Sequence, residues 1–149
     1  MLPIATAEDV GGIKIGDGLQ AASDGTLSAV DRFSVYFNDL IYGIDASWIA
    51  TTTCSISAGT NQGVAILETG PSANIEMDIY YLDNQTSYDG GDPPSVGTVS
   101  FQASSTVGTI LFSKEVSLQA GNILGLQPPS PADQTAKGLR LVILASKTS

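Results

Sequence analysis

Apolar and polar residues alternate along most of this chain, and turn residues interrupt the alternation at short intervals. Residues 75–81 show the pattern most clearly, because Glu76 and Asp78 fall between apolar residues, on what would be the solvated face of a strand. About eight or nine such segments follow one another at roughly 8–12-residue spacing, and no helix-period stretch of useful length interrupts them. The pattern predicts an all-β fold, an antiparallel β-sandwich of jelly-roll type.

The chain is expected to divide into two parts. Residues 1–30, called the N-terminal segment, are short, glycine-rich and dense in turns, and residues 6–9 can cap a single helical turn. The apolar residues of this segment are too few to close a core, so we expect it to pack on its own domain or on neighbouring chains. Residues 31–149 carry nearly all of the strand alternation and are predicted to form the sandwich. Strands are expected at 33–37, 48–56, 64–67, 75–81, 99–103, 108–112, 116–118, 123–126 and 138–145, and long loops at 83–95 and 127–137.

Charge is scarce and unevenly spread. The formal net charge is −9, and no Lys or Arg occurs between Phe33 and Phe112. Phosphate groups would be repelled by such a surface, so we expect neither nucleic-acid nor anionic-membrane binding. Most cations fall late in the chain, where a solvated edge strand is the simplest interpretation. These late cations are Lys114, Lys137, Arg140 and Lys147.

The residue types that most enzymes use are nearly absent. The chain has no histidine, which removes the commonest general base and metal ligand, and its single cysteine, Cys54, cannot form an intrachain disulfide. Cys54 lies in an alternating run and is expected to be a small buried residue. We therefore expect no catalytic residues, no cofactor and no enzyme activity. Glu76 and Asp78 share a strand face as the acids of any solvated strand do.

Two sets of residues are candidates for binding. Acidic side chains on a Gly-rich loop can ligate calcium, although turns use the same residues for backbone reasons alone; the acids are Asp83, Asp89 and Asp92. Exposed aromatic side chains beside Asp and Asn can bind sugars, although alternate aromatics on strands more often belong to the core. The aromatic candidates for a glycan-binding face are Trp48, Tyr80, Tyr81 and Tyr88.

Residues 3–28 contain a distinctive order of elements. The sequence PIATA at residues 3–7 is followed by GGIKIGDGL at 11–19 and DGTLS at 24–28. This order resembles a segment of tailed-bacteriophage fibre proteins, notably the head-fibre family, whose pattern is roughly ATA…GGVKVGxGLxxxxDGTLS. Residues 116–124 have an order of apolar, polar and turn residues that is similar to a strand-turn-strand segment of trimeric jelly rolls such as the C1q/TNF-like heads.

The resemblance implies a virion protein that is usually homotrimeric, made in the host cytoplasm and carried on the capsid exterior. It implies that the N-terminal segment docks on the major capsid protein or forms part of a trimeric stalk, while the β-domain projects outward. Three copies around an axis could bury apolar residues that one copy cannot. The residues expected in this docking and trimer segment are Ile4, Val10, Ile13, Ile15, Leu19 and Leu27.

Two other functions stay open. One is a tail-fibre or receptor-binding head that binds host-surface polysaccharide through the aromatic candidates. The other is a secreted carbohydrate-binding module without any virion. The second is disfavoured, because the N-terminus lacks the basic and apolar regions of a signal peptide and the chain has no disulfide.

Overall fold

Strands are the regular elements of the computed structural model, which describes residues 9–10, 13–14, 19–21, 27–60, 62–83 and 93–147. The all-β prediction is confirmed: no helix occurs in these ranges, and accordingly no helix there is long and apolar enough to cross a membrane. The strands are β1 (Asp9–Val10), β2 (Ile13–Lys14), β3 (Leu19–Ala21), β4 (Leu27–Asp39), β5 (Ala46–Ile49), β6 (Cys54–Ile56), β7 (Gly63–Ile66), β8 (Ile75–Leu82), β9 (Ser95–Phe101), β10 (Thr109–Phe112), β11 (Val116–Leu118), β12 (Ile123–Gln127) and β13 (Lys137–Lys147).

Two antiparallel sheets form the body of the protein. The five-stranded sheet has the order β10-β9-β8-β12-β5, and the six-stranded sheet has the order β11-β6-β13-β4-β3, with β7 also pairing β13. Strands β1 and β2 pair only with each other among the described elements. This arrangement fits an all-β sandwich.

The core lies between the two sheets, because each strand turns alternate side chains inward. Strand β8 contributes Met77 and Ile79, and β13 contributes Leu141 and Ile143, all almost fully buried. Each such side chain stabilises the fold by roughly 1.5–3 kcal/mol relative to an exposed position. Cys54 is 1% exposed within this core, which confirms its prediction as a buried residue.

Strand β13 is central, which contradicts the expectation of an edge strand for the late cations. It pairs with β4 from Lys137 to Ser146 on one side and with β7 and β6 on the other. Its cations are placed at the strand ends or on its outward side, where carboxylates meet them. The ion pairs are Lys137 with Asp39, Arg140 with Glu68 at 3.0 Å and Lys147 with Asp31 at 3.4 Å.

Two further sequence predictions are corrected. Residues 48–56 form two strands in different sheets, β5 and β6, because the chain crosses between the sheets at residues 50–53. Ala50 fixes the crossing: its N–H donates to the Asn122 carbonyl at 2.9 Å, and its carbonyl accepts from the Gly121 N–H at 2.8 Å. The helical turn at 6–9 does not extend to Asp9, which lies in β1.

The N-terminal segment joins the sandwich through β3 and β4. Strand β3 pairs with residues 27–29 of β4, and β4 then continues along β13. Position 30, the predicted boundary between the two parts, therefore lies inside β4. The division of the chain into two parts remains a prediction.

The sandwich has two distinct ends. The proximal end is where β3 pairs with β4 and where β4 begins, beside Ser146 of β13. The distal end is where β4 finishes, since Asp39 pairs there with Lys137. Hydrogen bonds between connections, such as Ser104 N–H to the Pro71 carbonyl at 2.8 Å, hold the loops of the distal end together. These distal loops are residues 40–45, 67–74, 102–108 and 128–136.

Candidate interaction surfaces

Part of the outward face of the six-stranded sheet, where β4, β13 and β7 lie side by side, carries exposed apolar side chains. Register across β4, β13 and β7 places Tyr36, Arg140 and Ile66 in one row, and Ser34, Val142 and Val64 in the next. Tyr36 is 52% exposed, Val64 57% and Ile66 45%. These six residues are called the six-strand face below.

The apolar surface continues past the edge of β7. Ile66 forms an isolated bridge with Val107, whose side chain is 70% exposed. On the other side, the Arg140 guanidinium lies 5.5 Å from the centre of the Tyr36 ring and donates to Glu68 Oε1 at 3.0 Å. A shallow depression of about 490 Å³ lies along Tyr36, Arg140 and Val142. Arg140 therefore lies over an aromatic side chain with its charge already matched by a carboxylate.

The outward face of the five-stranded sheet differs in charge. Glu76 and Asp78 are exposed on β8, as the alternation predicts, and the five strands of this sheet contain no Lys or Arg. Tyr80 also points to this side, where its ring covers Gly125 so closely that a Cβ there would lie 2.0 Å from the Tyr80 Cζ. Ile49, on the edge strand β5, is 63% exposed. We call this surface the five-strand face.

A cleft of about 430 Å³ opens at the distal end, between the 67–74 and 128–136 loops. Its polar lining residues are Ser72, Asn74, Glu76, Ser130, Asp133 and Gln134. The Asp133 carboxylate joins the two loops. One oxygen accepts from the Ser72 N–H at 3.0 Å and hydroxyl at 2.8 Å, and the other accepts from the Thr135 hydroxyl at 2.6 Å and N–H at 2.9 Å. These hydrogen bonds, that from the Thr135 hydroxyl above all, hold the pKa of Asp133 well below its ordinary value of 3.8.

Replacing Asp133 by Ala should lower the free energy of unfolding at neutral pH by about 1–2 kcal/mol, because several donors lose an acceptor at a solvent-accessible site. The folded-state pKa is depressed, so this contribution is present above the unfolded pKa of about 4 and is lost as the pH falls further. Urea unfolding of both proteins at pH 7 and pH 3 measures it. Asp133→Asn is the control, since it keeps one acceptor oxygen but cannot titrate. An equal difference between wild type and Asp133→Ala at both pH values would contradict the assignment.

The distal end also carries a short apolar tip. The Ile44 N–H donates to the Ile41 carbonyl at 3.1 Å, and Gly43 has a φ of +88° at the third position of this turn. A positive φ there is typical of a type II turn and favours glycine. Ile41, Tyr42 and Ile44 are all about half exposed. Three apolar side chains thus project from one tight turn.

The aromatic candidates are not brought to one surface. Trp48 and Tyr81 are partly buried and pack against the core, whereas Tyr80 points outward over Gly125. The Trp48 indole N–H donates to the Ser34 carbonyl at 2.9 Å, and its ring centroid lies 5.8 Å from that of Phe33. Trp48 thus links β5 of one sheet to β4 of the other. Tyr88 lies outside the described residues.

The other predicted site residues are only partly described. Val10, Ile13, Leu19 and Leu27 lie on the short strands β1, β2 and β3 and at the start of β4, while Ile4 and Ile15 fall outside the described ranges. Of the calcium candidates, Asp83 directly follows β8. Asp89 and Asp92 lie outside the described residues. Within the described part of the chain no three acidic or cysteine side chains are grouped as a metal site would require.

Sequence reasoning missed two residues that organise loops. Asp133 was treated only as part of a long loop, and Asn122 only as part of a turn. Asn122 is 5% exposed, and its Oδ1 accepts from the Gln119 N–H at 2.7 Å and from the Tyr81 hydroxyl at 3.2 Å. The Gly-Asn turn between two strands was the only local signal, and it indicates a hairpin without indicating burial.

No protein-family model, curated protein or solved structure matches the chain. What the protein does must therefore be inferred from its own residues and from the surfaces described above.

Proposed function

We propose that the protein is a structural component of a bacteriophage virion, a head fibre or capsid decoration protein that acts as a homotrimer. The N-terminal segment docks on the major capsid protein, and the sandwich projects from the capsid exterior. The resemblance of residues 3–28 to fibre proteins supports this class of function.

A jelly-roll connectivity belongs to the proposal. Four antiparallel strand pairs are nested in chain order: β4 with β13, β5 with β12, β6 with β11, and β8 with β9. The first and third pairs belong to the six-stranded sheet, and the second and fourth belong to the five-stranded sheet. Nested pairs that alternate between two sheets are what the winding of a jelly roll requires. In this scheme β7 and β10 are additional strands.

One observation carries the proposed orientation on the particle. The fibre-like segment enters the sandwich at the proximal end, through the pairing of β3 with β4. The distal loops lie at the other end of the long β4–β13 pair, which runs from Val30 to Asp39 along β4. Anchoring the N-terminal segment on a capsid would therefore leave the distal cleft and the 40–45 turn facing outward.

The available side chains favour a structural role over catalysis. The chain contains no histidine, so the commonest general base is missing. Burial raises the pKa of the Cys54 thiol, and the nearby Asp31 carboxylate adds to the effect, so its reactive thiolate is disfavoured. A particle exposed outside the cell gains from such inert chemistry.

Cryo-electron microscopy of the source particle tests the proposal. We expect threefold density on the capsid exterior into which the sandwich fits with its proximal end against the shell. Density for this chain at the tail tip, with none on the head, would contradict a head fibre or decoration protein. Copy number from mass measurement of the particle proteins provides an independent check, since trimers should occur in multiples that match capsid symmetry.

The distal cleft favours a second candidate function, a receptor-binding head for host-surface polysaccharide. Hydroxyl, amide and carboxylate groups line this cleft at the end that would face outward, and such groups bind sugars by hydrogen bonds. A glycan array would test this function directly. No binding on the array, together with normal adsorption of phage that lack the protein, would remove it.

A further inference from the structure

We infer that the six-strand face is the surface through which copies of this chain associate with each other. The inference rests on the proposed homotrimer and names the face that forms it. In a cyclic trimer each copy turns the same face toward the axis and contacts both neighbours there.

The exposed area of this face is unusual for a surface that only meets water. Tyr36, Val64 and Ile66 each expose about half of their surface, and Val107 beside them exposes 70%. Together they present an apolar area on the order of several hundred Å², which is the size range in which patches on soluble proteins are often interaction sites. Partly exposed Val142 lies between Ser34 and Val64 in the second row.

Charge indicates a second copy as the occupant. A chain of net charge −9 repels its own copies, so self-association is least unfavourable where acidic groups are few or neutralised. Among the described outward positions of β4, β7 and β13, the charged residues are Arg32 and Arg140, and Glu68, which follows β7, is paired with Arg140. The five-strand face carries Glu76 and Asp78 and no cation on its strands, so two copies pressed together there would repel each other.

Two matched variants test the assignment. Ile66→Asp places a carboxylate on the six-strand face, and Ile49→Asp makes the same change on the five-strand face, at a residue that is 63% exposed against 45% for Ile66. In size-exclusion chromatography with light scattering, we expect wild type and Ile49→Asp at three times the 15.3 kDa chain mass. Ile66→Asp should fall to the mass of one chain at micromolar concentration. Both positions are exposed, so circular dichroism should show the same β spectrum for all three proteins.

Two further measurements test whether dissociation by Ile66→Asp reflects the whole six-strand face or only that one position. Val64→Asp, one row away on the same face, should dissociate the protein as Ile66→Asp does. Raising the salt concentration should strengthen association of the wild type, because salt screens the repulsion between acidic copies and leaves apolar contacts intact.

The outcomes separate this inference from the proposed function. A trimer that survives both Ile66→Asp and Val64→Asp, or that dissociates with Ile49→Asp, would overturn the face while leaving the homotrimer in place. A monomeric wild type would overturn the homotrimer and the face together, and particle microscopy would still decide the virion role.

Discussion

Deletion of residues 1–26 should leave a folded sandwich that no longer attaches to its particle. The described core, from Phe33 to Ala145, lies wholly within the residues that the truncated chain keeps. The cut is placed at 26 because β4 begins at Leu27, and a cut at 30 would remove Val30, which pairs with Ser146. We expect the truncated chain to keep its β spectrum and a cooperative thermal transition while occupancy on the particle falls to background.

Double substitution of Ile13 and Ile15 by Asp should reproduce the loss of attachment without shortening the chain. The proposed docking would bury both side chains, each worth roughly 1.5–3 kcal/mol, and an unpaired charge in their place costs more. Particle occupancy is measured by gel densitometry of particles reconstituted with each protein. Full occupancy by the truncated chain would place the anchor in the sandwich and would contradict the function carried over from the fibre motif.

Strand positions could be predicted because strand alternation is a local property. The segment around Met77 and Ile79 has polar residues between its apolar ones, and β8 occupies residues 75–82 with Glu76 and Asp78 in solvent. The final strand was expected at 138–145 and extends only one residue earlier and two later. A buried face that repeats every two residues leaves this signal whatever the partner strand is.

Sheet membership could not be predicted, because it depends on partners far away in the chain. Residues 48–56 were predicted as one strand, yet within them the chain passes from one sheet to the other, held by the contacts of Ala50 with residues 121 and 122. The charges of β13 suggested an edge strand, yet Arg140 and Lys137 are accommodated on a central strand because Glu68 and Asp39 lie opposite them. Neither carboxylate is near these cations in sequence.

The aromatic candidates illustrate a signal that was present but unused. Tyr80 and Tyr81 are consecutive residues of one strand, and consecutive strand residues point to opposite faces of a sheet. The same alternation that predicted the strand therefore disfavoured a glycan-binding face that contains both tyrosine side chains. Trp48 belongs with Tyr81 on the inward side, as its packing against Phe33 indicates.

Replacing Asn122 by Leu should lower the free energy of unfolding by about 2–3 kcal/mol, the largest effect expected from a single substitution of similar size in the loops. The new side chain has the same branched arrangement of heavy atoms, so it is the closest apolar match in shape. The Gln119 N–H and the Tyr81 hydroxyl, however, lose the Oδ1 atom that accepts from both. An unsatisfied polar group at a buried site costs about 1–3 kcal/mol. Thermal unfolding should show a midpoint lower by about 5–10 °C for a chain of this length.

A double-mutant cycle with Tyr81→Phe identifies the cause of that loss. In the wild-type background, removal of the Tyr81 hydroxyl should cost about 0.5–1.5 kcal/mol, because its hydrogen bond to Asn122 is lost. In the Asn122→Leu background the same removal should cost nothing or be stabilising, because the hydroxyl there has already lost its acceptor. The two substitutions should therefore be clearly non-additive in urea unfolding. Additive effects would mean that Asn122 stabilises the proximal end only through the β11–β12 turn, since Tyr81 would then gain nothing from its Oδ1 atom.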